Sequence, residues 1–155
     1  MSWKRSITIE RPPSDVWVAF TDLSRAPETF ASVLKARWVE GAAFRPGSVF
    51  EVTHKGGKVG REGAVERLEV VACEPWHAYT VRFEASGCVC TQTYSFHHDR
   101  AWTKVTIETE VDARRVRGHV TRRLVLRRLE KACQARLEHA KKALEQSRRL
   151  TIASA

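Results

Sequence analysis

Two kinds of hydrophobic spacing divide this chain. Residues Trp3 to Glu10 alternate, with Trp3, Arg5, Ile7 and Ile9 on one side and Lys4, Ser6, Thr8 and Glu10 on the other. That is the period of a half-buried strand. Arg11-Pro-Pro-Ser-Asp ends it and starts a helix, because proline suits a first helical turn and Ser14 or Asp15 can cap free backbone N–H groups. Val16, Trp17, Phe20 and Leu23 form a short helical face, and Ser24 before Pro27 predicts a second short helix to about Ala31. A helix pair of this kind usually plugs one end of a sheet.

From Leu34 the period returns to two, giving strands over Leu34 to Glu40, Ser48 to Lys55, Lys58 to Ala72, Ala78 to Ala85, Cys88 to His97 and Thr103 to Asp112. Turn chemistry separates them: Arg45-Pro-Gly, Gly56-Gly57, Cys73-Glu-Pro-Trp, Ser86-Gly87 and Asp99-Arg100-Ala101. Links this short join antiparallel neighbours, and Gly56-Gly57 suits a two-residue turn that needs positive φ. The remainder, Ala113 to Arg149, carries Val116, Val120, Leu124, Leu126, Leu129, Cys133, Leu137, Ala140 and Leu144 mostly three and four residues apart. One long amphipathic helix accounts for that spacing. Strands grouped together with helices segregated at the ends predict an α+β domain, its seven-stranded antiparallel sheet curled around the last helix.

Length is consistent with one domain over 1–150 and a flexible tail over 151–155, large enough to bury roughly two thirds of its unfolded surface. Hydrophobic residues at 43% and charged ones at 29% fit a soluble globular chain, and no apolar run approaches the ~20 residues of a membrane span. The N-terminus passes directly into the first strand, with no apolar run or small-residue cleavage site, which reads as cytoplasmic. Net charge is +9 and unevenly placed: thirteen of twenty-seven Lys and Arg lie in Ala113 to Arg149 against Glu130, Glu138 and Glu145, a local +10. Such a face is either a solvated surface or a dock for an anionic partner, RNA, a ribosome or a membrane surface.

Cys73, Cys88, Cys90 and Cys133 read as small buried apolar groups. Cys88 and Cys90 point the same way on one strand without facing each other, so they do not form a bridge. Adding His97 and His98 gives no usual zinc spacing. No metal and no cofactor are expected. The five Trp residues are scattered, unlike a stacking platform for bases.

Several short motifs resemble the SRPBCC superfamily, also called START-like or birch-pollen-allergen-like, and within it the polyketide cyclase/dehydrase branch. Pro12, Val16, Trp17 and Asp22 are similar to that family's entry into the first helix. Phe44-Arg-Pro-Gly-Ser-Val-Phe resembles its turn into the third strand, and Cys73-Glu-Pro-Trp-His-Ala-Tyr the corner between its fourth and fifth. The resemblance covers about residues 3 to 147. Where many relatives have Gly-Thr before the seventh strand, this chain has Ala101-Trp102-Thr103. The likeness implies a helix-grip fold with a deep apolar cavity between sheet and terminal helix. Members bind lipids, sterols, polyketides, quinones or hormones; some are cyclases, and one branch engages a ribosome.

Alternation then nominates the inward side chains. They are Phe50, Val52 and His54 on the third strand, Tyr79, Val81 and Phe83 on the fifth, Cys88, Cys90, Gln92, Tyr94 and Phe96 on the sixth, and Val105, Ile107 and Thr109 on the seventh. Trp38 would form a wall or lip, and Val120, Leu124 and Leu126 the helix side. The expected ligand-binding set is Trp38, Phe50, Val52, His54, Tyr79, Val81, Phe83, Cys90, Gln92, Tyr94, Val105, Ile107, Val120 and Leu124. Among its polar members His54 is a weak candidate acid or base. Glu51 and Glu66 form a carboxylate pair only if strand register allows; Glu66, among Arg61, Arg67 and Glu69, reads better as part of an exposed charge ladder. No nucleophile elbow, phosphate loop or His-Glu-x-x-His is present. The expected function is therefore binding of a hydrophobic small molecule, with a cyclase-like enzyme and an RNA- or ribosome-associated protein as alternatives.

Overall fold

The computed structural model describes residues 2–56, 62–112 and 119–153, without the side chains of 62, 119–121 and 148–153. Its elements, in chain order, are β1 (Ser2–Ile9), α1 (Pro13–Thr21), a 3-10 turn (Leu23–Arg25) and α2 (Ala26–Thr29). Then follow β2 (Val33–Glu40), β3 (Val49–Lys55), β4 (Glu62–Glu74), β5 (Ala78–Ala85), β6 (Cys88–Asp99), β7 (Trp102–Asp112) and α3 (His119–Ala153). All neighbours pair antiparallel in the order β1-β7-β6-β5-β4-β3-β2. This is the helix-grip arrangement: a meander closed by β1, with α3 across its inner face.

Curvature comes from irregular pairing on one half of the sheet. Register shifts interrupt β2–β3, β3–β4 between Thr53 and Lys55, and β4–β5 between Val70 and Ala72. The β5–β6–β7–β1 half pairs without interruption. Each bulge adds local twist, so the β2–β4 side bends. At the β5–β6 corner Ser86 and Gly87 both hold positive φ, 51° and 77°, as a primed two-residue turn requires.

Local differences from the sequence reading have physical causes. Neither Ser14 nor Asp15 caps α1; Pro12 occupies that position, while Asp15 turns back to Arg11 at 2.7 Å. Asp22 caps the 3-10 turn that follows, accepting from the Ser24 backbone N–H at 3.1 Å. Helix α2 stops at Thr29 rather than Ala31. Helix α3 continues through the expected tail to Ala153. Gly57, the 58–61 part of the fourth predicted strand, Ala113 to Gly118 with Val116, and Ser154 and Ala155 lie outside the described residues.

Two packing sets hold the layers together. Trp17 and Phe20 from α1 insert edge-on against Phe96, with ring centroids 5.2 and 5.5 Å apart, and plug one end of the sheet. From α3, Val125, Leu126, Cys133, Leu137, Ala140 and Leu144 are buried, and Leu129 packs beside them. Polar clasps fix the helix along β1: Arg5 to Glu130, Lys141 to the Thr8 carbonyl at 2.6 Å, and the Glu10 backbone N–H to Glu145 at 3.1 Å. His139 reaches the Thr29 carbonyl at 2.9 Å, tying α3 to α2.

Candidate ligand-binding site

Alternation along β6 sends Cys88, Cys90, Gln92, Tyr94 and Phe96 inward. Register places Gln92 between Val81 of β5 and Thr109 of β7, and Tyr94 between Tyr79 and Ile107. Above them α3 brings Cys133 and Arg136 onto the same face. The result is a directed hydrogen-bond chain. Arg136 donates to the Tyr94 hydroxyl, which donates to Gln92 Oε1 at 3.3 Å. Gln92 Nε2 donates in turn to Cys133 Sγ at 3.1 Å and Thr109 Oγ1 at 3.4 Å. Gln92 is only 2% exposed, so these bonds answer a real desolvation penalty.

Two cavities adjoin this chain, and Phe30, Glu66 and Arg136 line both. The inner one, about 50 Å³, has aromatic and aliphatic walls including Phe20, Phe44, Phe50, Leu68, Tyr79 and Val81. The outer one, about 300 Å³, is bounded by His54, Phe83, Gln92, Leu129 and Cys133. Its rim is made of Ala31, Ser32, Ala132 and Ala135, which are small and exposed. Small rim residues leave a mouth between the α2–β2 link and α3. Apolar walls with a few convergent polar groups are the usual composition of a small-molecule pocket.

Electrostatics in this interior favour uncharged thiols and phenols around one cation. Burial pushes the Tyr94 hydroxyl up to about 12, against the lowering effect of Arg136. Tyr79 is likewise held well above the ordinary phenol range, chiefly by burial. Burial and then Cys88 push the Cys90 thiol up to about 12, and burial also raises Cys133 over the opposing pull of Arg136. These cysteines are protonated near neutral pH and are not thiolate nucleophiles. The neighbouring Tyr94 oxygen raises the pKa of Arg136 against the effect of burial, so the guanidinium stays charged. Glu66 faces inward as well, and its carboxylate lies 3.7 Å from His54 Nε2.

The expected lining residues separate into groups. Phe50, Val52, Tyr79, Val81 and Tyr94 line the inner cavity, and His54, Phe83 and Gln92 the outer one. Trp38 stands outside these two linings, its ring edge-on to Phe44 and Phe50. Cys90, Val105 and Ile107 are fully buried in the core and line neither cavity. Leu124 is 54% exposed and points away from the sheet; Val125 takes the inward position because the helical stripe passes through Val125, Leu126, Leu129 and Cys133. The side chain of Val120 lies outside the described ones. Glu51 and Glu66 form no carboxylate pair. Register sets Glu51 opposite Arg67 and Val52 opposite Glu66, so the two acids occupy opposite faces. Glu51 pairs with Arg37 at 3.0 Å on the outside, and Glu66 leaves the exposed ladder for the cavity.

Arg136 is the principal residue that pattern reading missed. It lies three residues after Cys133 and four before Ala140, on the buried stripe itself. Its spacing was visible, but its charge assigned it to the outer face.

A family model described as polyketide cyclase / dehydrase and lipid transport matches residues 2–145. The chain belongs to this family. It is thereby a member of the SRPBCC, birch-pollen-allergen-like superfamily, and its architecture agrees. Similar solved structures include the di-domain ARO/CYC BexL from the BE-7585A biosynthetic pathway, at TM-score 0.75 and 14% identity, covering 94% of this chain and 46% of that one. Ara h 8.0201 superposes at TM-score 0.73 and 13% identity, covering 94% and 98%. Protein NE0264 from Nitrosomonas europaea does so at TM-score 0.75 and 12% identity, covering 96% of each chain. The chain spans about half the length of BexL and of DynU16, from the dynemicin biosynthetic locus. At these identities the likeness is one of fold. Among curated proteins none matches the chain by sequence.

Proposed function

We propose that this protein binds a hydrophobic small molecule, of lipid or polyketide type, in the paired cavity between sheet and α3. The observation that carries this reading is an aromatic-walled cavity beside a wider one, with Phe30, Glu66 and Arg136 common to both linings. The family description, which names lipid transport beside polyketide cyclisation, supports it. Native mass spectrometry of the purified protein tests it: a bound or added apolar compound should persist as a one-to-one adduct. Ala132→Trp, placed on the exposed rim of the outer cavity, should weaken uptake by at least tenfold while leaving the fold intact. Equal uptake by both proteins would locate binding elsewhere.

A second reading, a cyclase-like enzyme, draws on the pairing of His54 with Glu66 on the sheet wall of the outer cavity and on the ARO/CYC neighbour. His54 would move a proton and Glu66 would orient its ring. His54→Ala assayed with a poly-β-ketone substrate distinguishes the two, since unchanged turnover removes His54 from any chemistry. The outward cations Arg123, Arg127, Arg128, Lys131 and Lys142 support a separate expectation of docking to an anionic surface. Such docking should weaken steeply as salt rises.

A further inference from the structure

We propose that the cavity is selective for a small hydrophobic acid, its carboxylate or ionised phenol seated on Arg136 and its hydrocarbon in the wider chamber of about 300 Å³, against Phe83 and Leu129. The inference rests on the cavity-binding reading and names the class of ligand. Arg136 is on the wall shared by both chambers, so a molecule filling either one meets its guanidinium. Its contacts from the described residues are the Tyr94 hydroxyl, which it donates to, and the face of Phe30, 5.7 Å from the guanidinium carbon. Neither contact neutralises a full positive charge. A guanidinium has five N–H donors in a planar fork, and the Tyr94 contact uses one of them.

The surrounding network is also oriented for an incoming anion. Tyr94 spends its proton on Gln92 and Gln92 spends its own on Cys133 and Thr109. Every donor in the chain therefore runs away from Arg136, which leaves the guanidinium as the local source of N–H groups for an acceptor in the cavity. The walls beside it, Phe20, Phe30, Phe44 and Leu68, are apolar. In such surroundings a charge-assisted, two-pronged contact is stronger than in water.

Glu66 is the counterpart that would compete. It lines both chambers and lowers the local potential, yet it makes no direct ion pair with Arg136 and lies against His54 instead. An acidic ligand therefore meets one attracting group and, in Glu66, the repelling group common to both chambers, with Asp22 a second acid on the inner chamber's wall; removing Arg136 or Glu66 should shift its affinity in opposite directions. A neutral ligand of the same shape should respond to neither.

Isothermal titration of the full-length protein with 2-naphthoate and with 2-naphthylmethanol, which share a hydrocarbon and differ in charge, tests this. The expected result is tighter binding of naphthoate, reduced about tenfold to a hundredfold in R136M with the alcohol unchanged. In E66Q naphthoate should bind several-fold more tightly, again with the alcohol unchanged. Equal affinities for acid and alcohol, unaffected by either substitution, would overturn the acid selectivity and leave the cavity reading standing. If neither probe binds, the cavity reading falls and this inference falls with it. Should R136M fail to fold, E66Q decides alone: an unchanged acid-to-alcohol ratio overturns the inference.

Discussion

Gln92 shows how a single amide can organise an apolar interior. Its oxygen and nitrogen satisfy partners on β6, β7 and α3 at once. Gln92→Leu keeps the volume but takes away the acceptor of the Tyr94 O–H and the donor to Thr109 and Cys133, and should destabilise the protein by about 1–3 kcal/mol. Urea denaturation at neutral pH measures it; a variant as stable as the parent would show that the network contributes nothing net. The raised thiol and phenol values give a second expectation at this scale. Cys90 and Tyr94, ordinarily at 9.0 and 10.0, are each held up to about 12, chiefly by burial. Above those ordinary values the unfolded chain has released protons that the folded protein still holds. Their contribution to stability is thus complete below about pH 9 and is lost progressively as pH rises toward 12. Urea midpoints should fall between pH 8 and pH 11, and fall less in Tyr94→Phe, which has no phenol to ionise.

Helix α3 is best understood as two surfaces that share one backbone. Its inner stripe keeps helical spacing from Val125 to Leu144, and one arginine is built into it. Leu137 is 2% exposed and Leu124 is 54% exposed, although both belong to the same apolar periodicity in the sequence. Leu137→Ala should therefore cost about 2–5 kcal/mol through a cavity under the helix, whereas Leu124→Gln should stay within about 0.5 kcal/mol. Thermal melts of the two variants side by side check this, and similar losses in both would mean that the helix is rotated from the position described. On the sheet, bulges in the β2–β4 half and regular pairing in the β5–β1 half divide the work. The regular half supplies the hydrogen-bonded network, and the bent half folds over to supply aromatic walls.

At the scale of the whole molecule, sheet curvature, the α1–α2 plug and the α3 lid enclose a space whose one described lining cation, Arg136, is half-buried and whose mouth is rimmed by small side chains. Entry and recognition are therefore carried by different residues. In the proposed binding mode Ala132 and Ala135 govern access, while Arg136, Tyr94 and Glu66 govern what is held. Ala132→Trp should slow association and weaken uptake of acid and alcohol alike, leaving the preference between them unchanged, and stopped-flow mixing with a fluorescent naphthalene probe reads the rate. A changed preference with an unchanged rate would reverse these roles. The outward cations of α3 lie on the other side of the helix from this interior, so a salt-dependent partner there and a ligand within need not compete.

Periodicity alone determined the order of elements, the inward face of β5, β6 and β7, and the presence of a long lid helix, because alternation and three-to-four spacing reflect which side of an element is dry. The polar members of the interior on β3 and β6, His54, Gln92 and Tyr94, were legible for the same reason. Tertiary structure alone decided the rest. Bulges shift register in ways no local pattern records, and pairing placed Glu51 and Glu66 on opposite faces. A helix's rotation is fixed by all its contacts together, so Leu124 turned out and Val125 in. Arg136 most clearly marks the boundary. Its sequence position put it on the buried stripe, but only the opposing sheet, with Tyr94 beneath it and cavities on either side, makes burial of that charge tolerable and gives it something to hold.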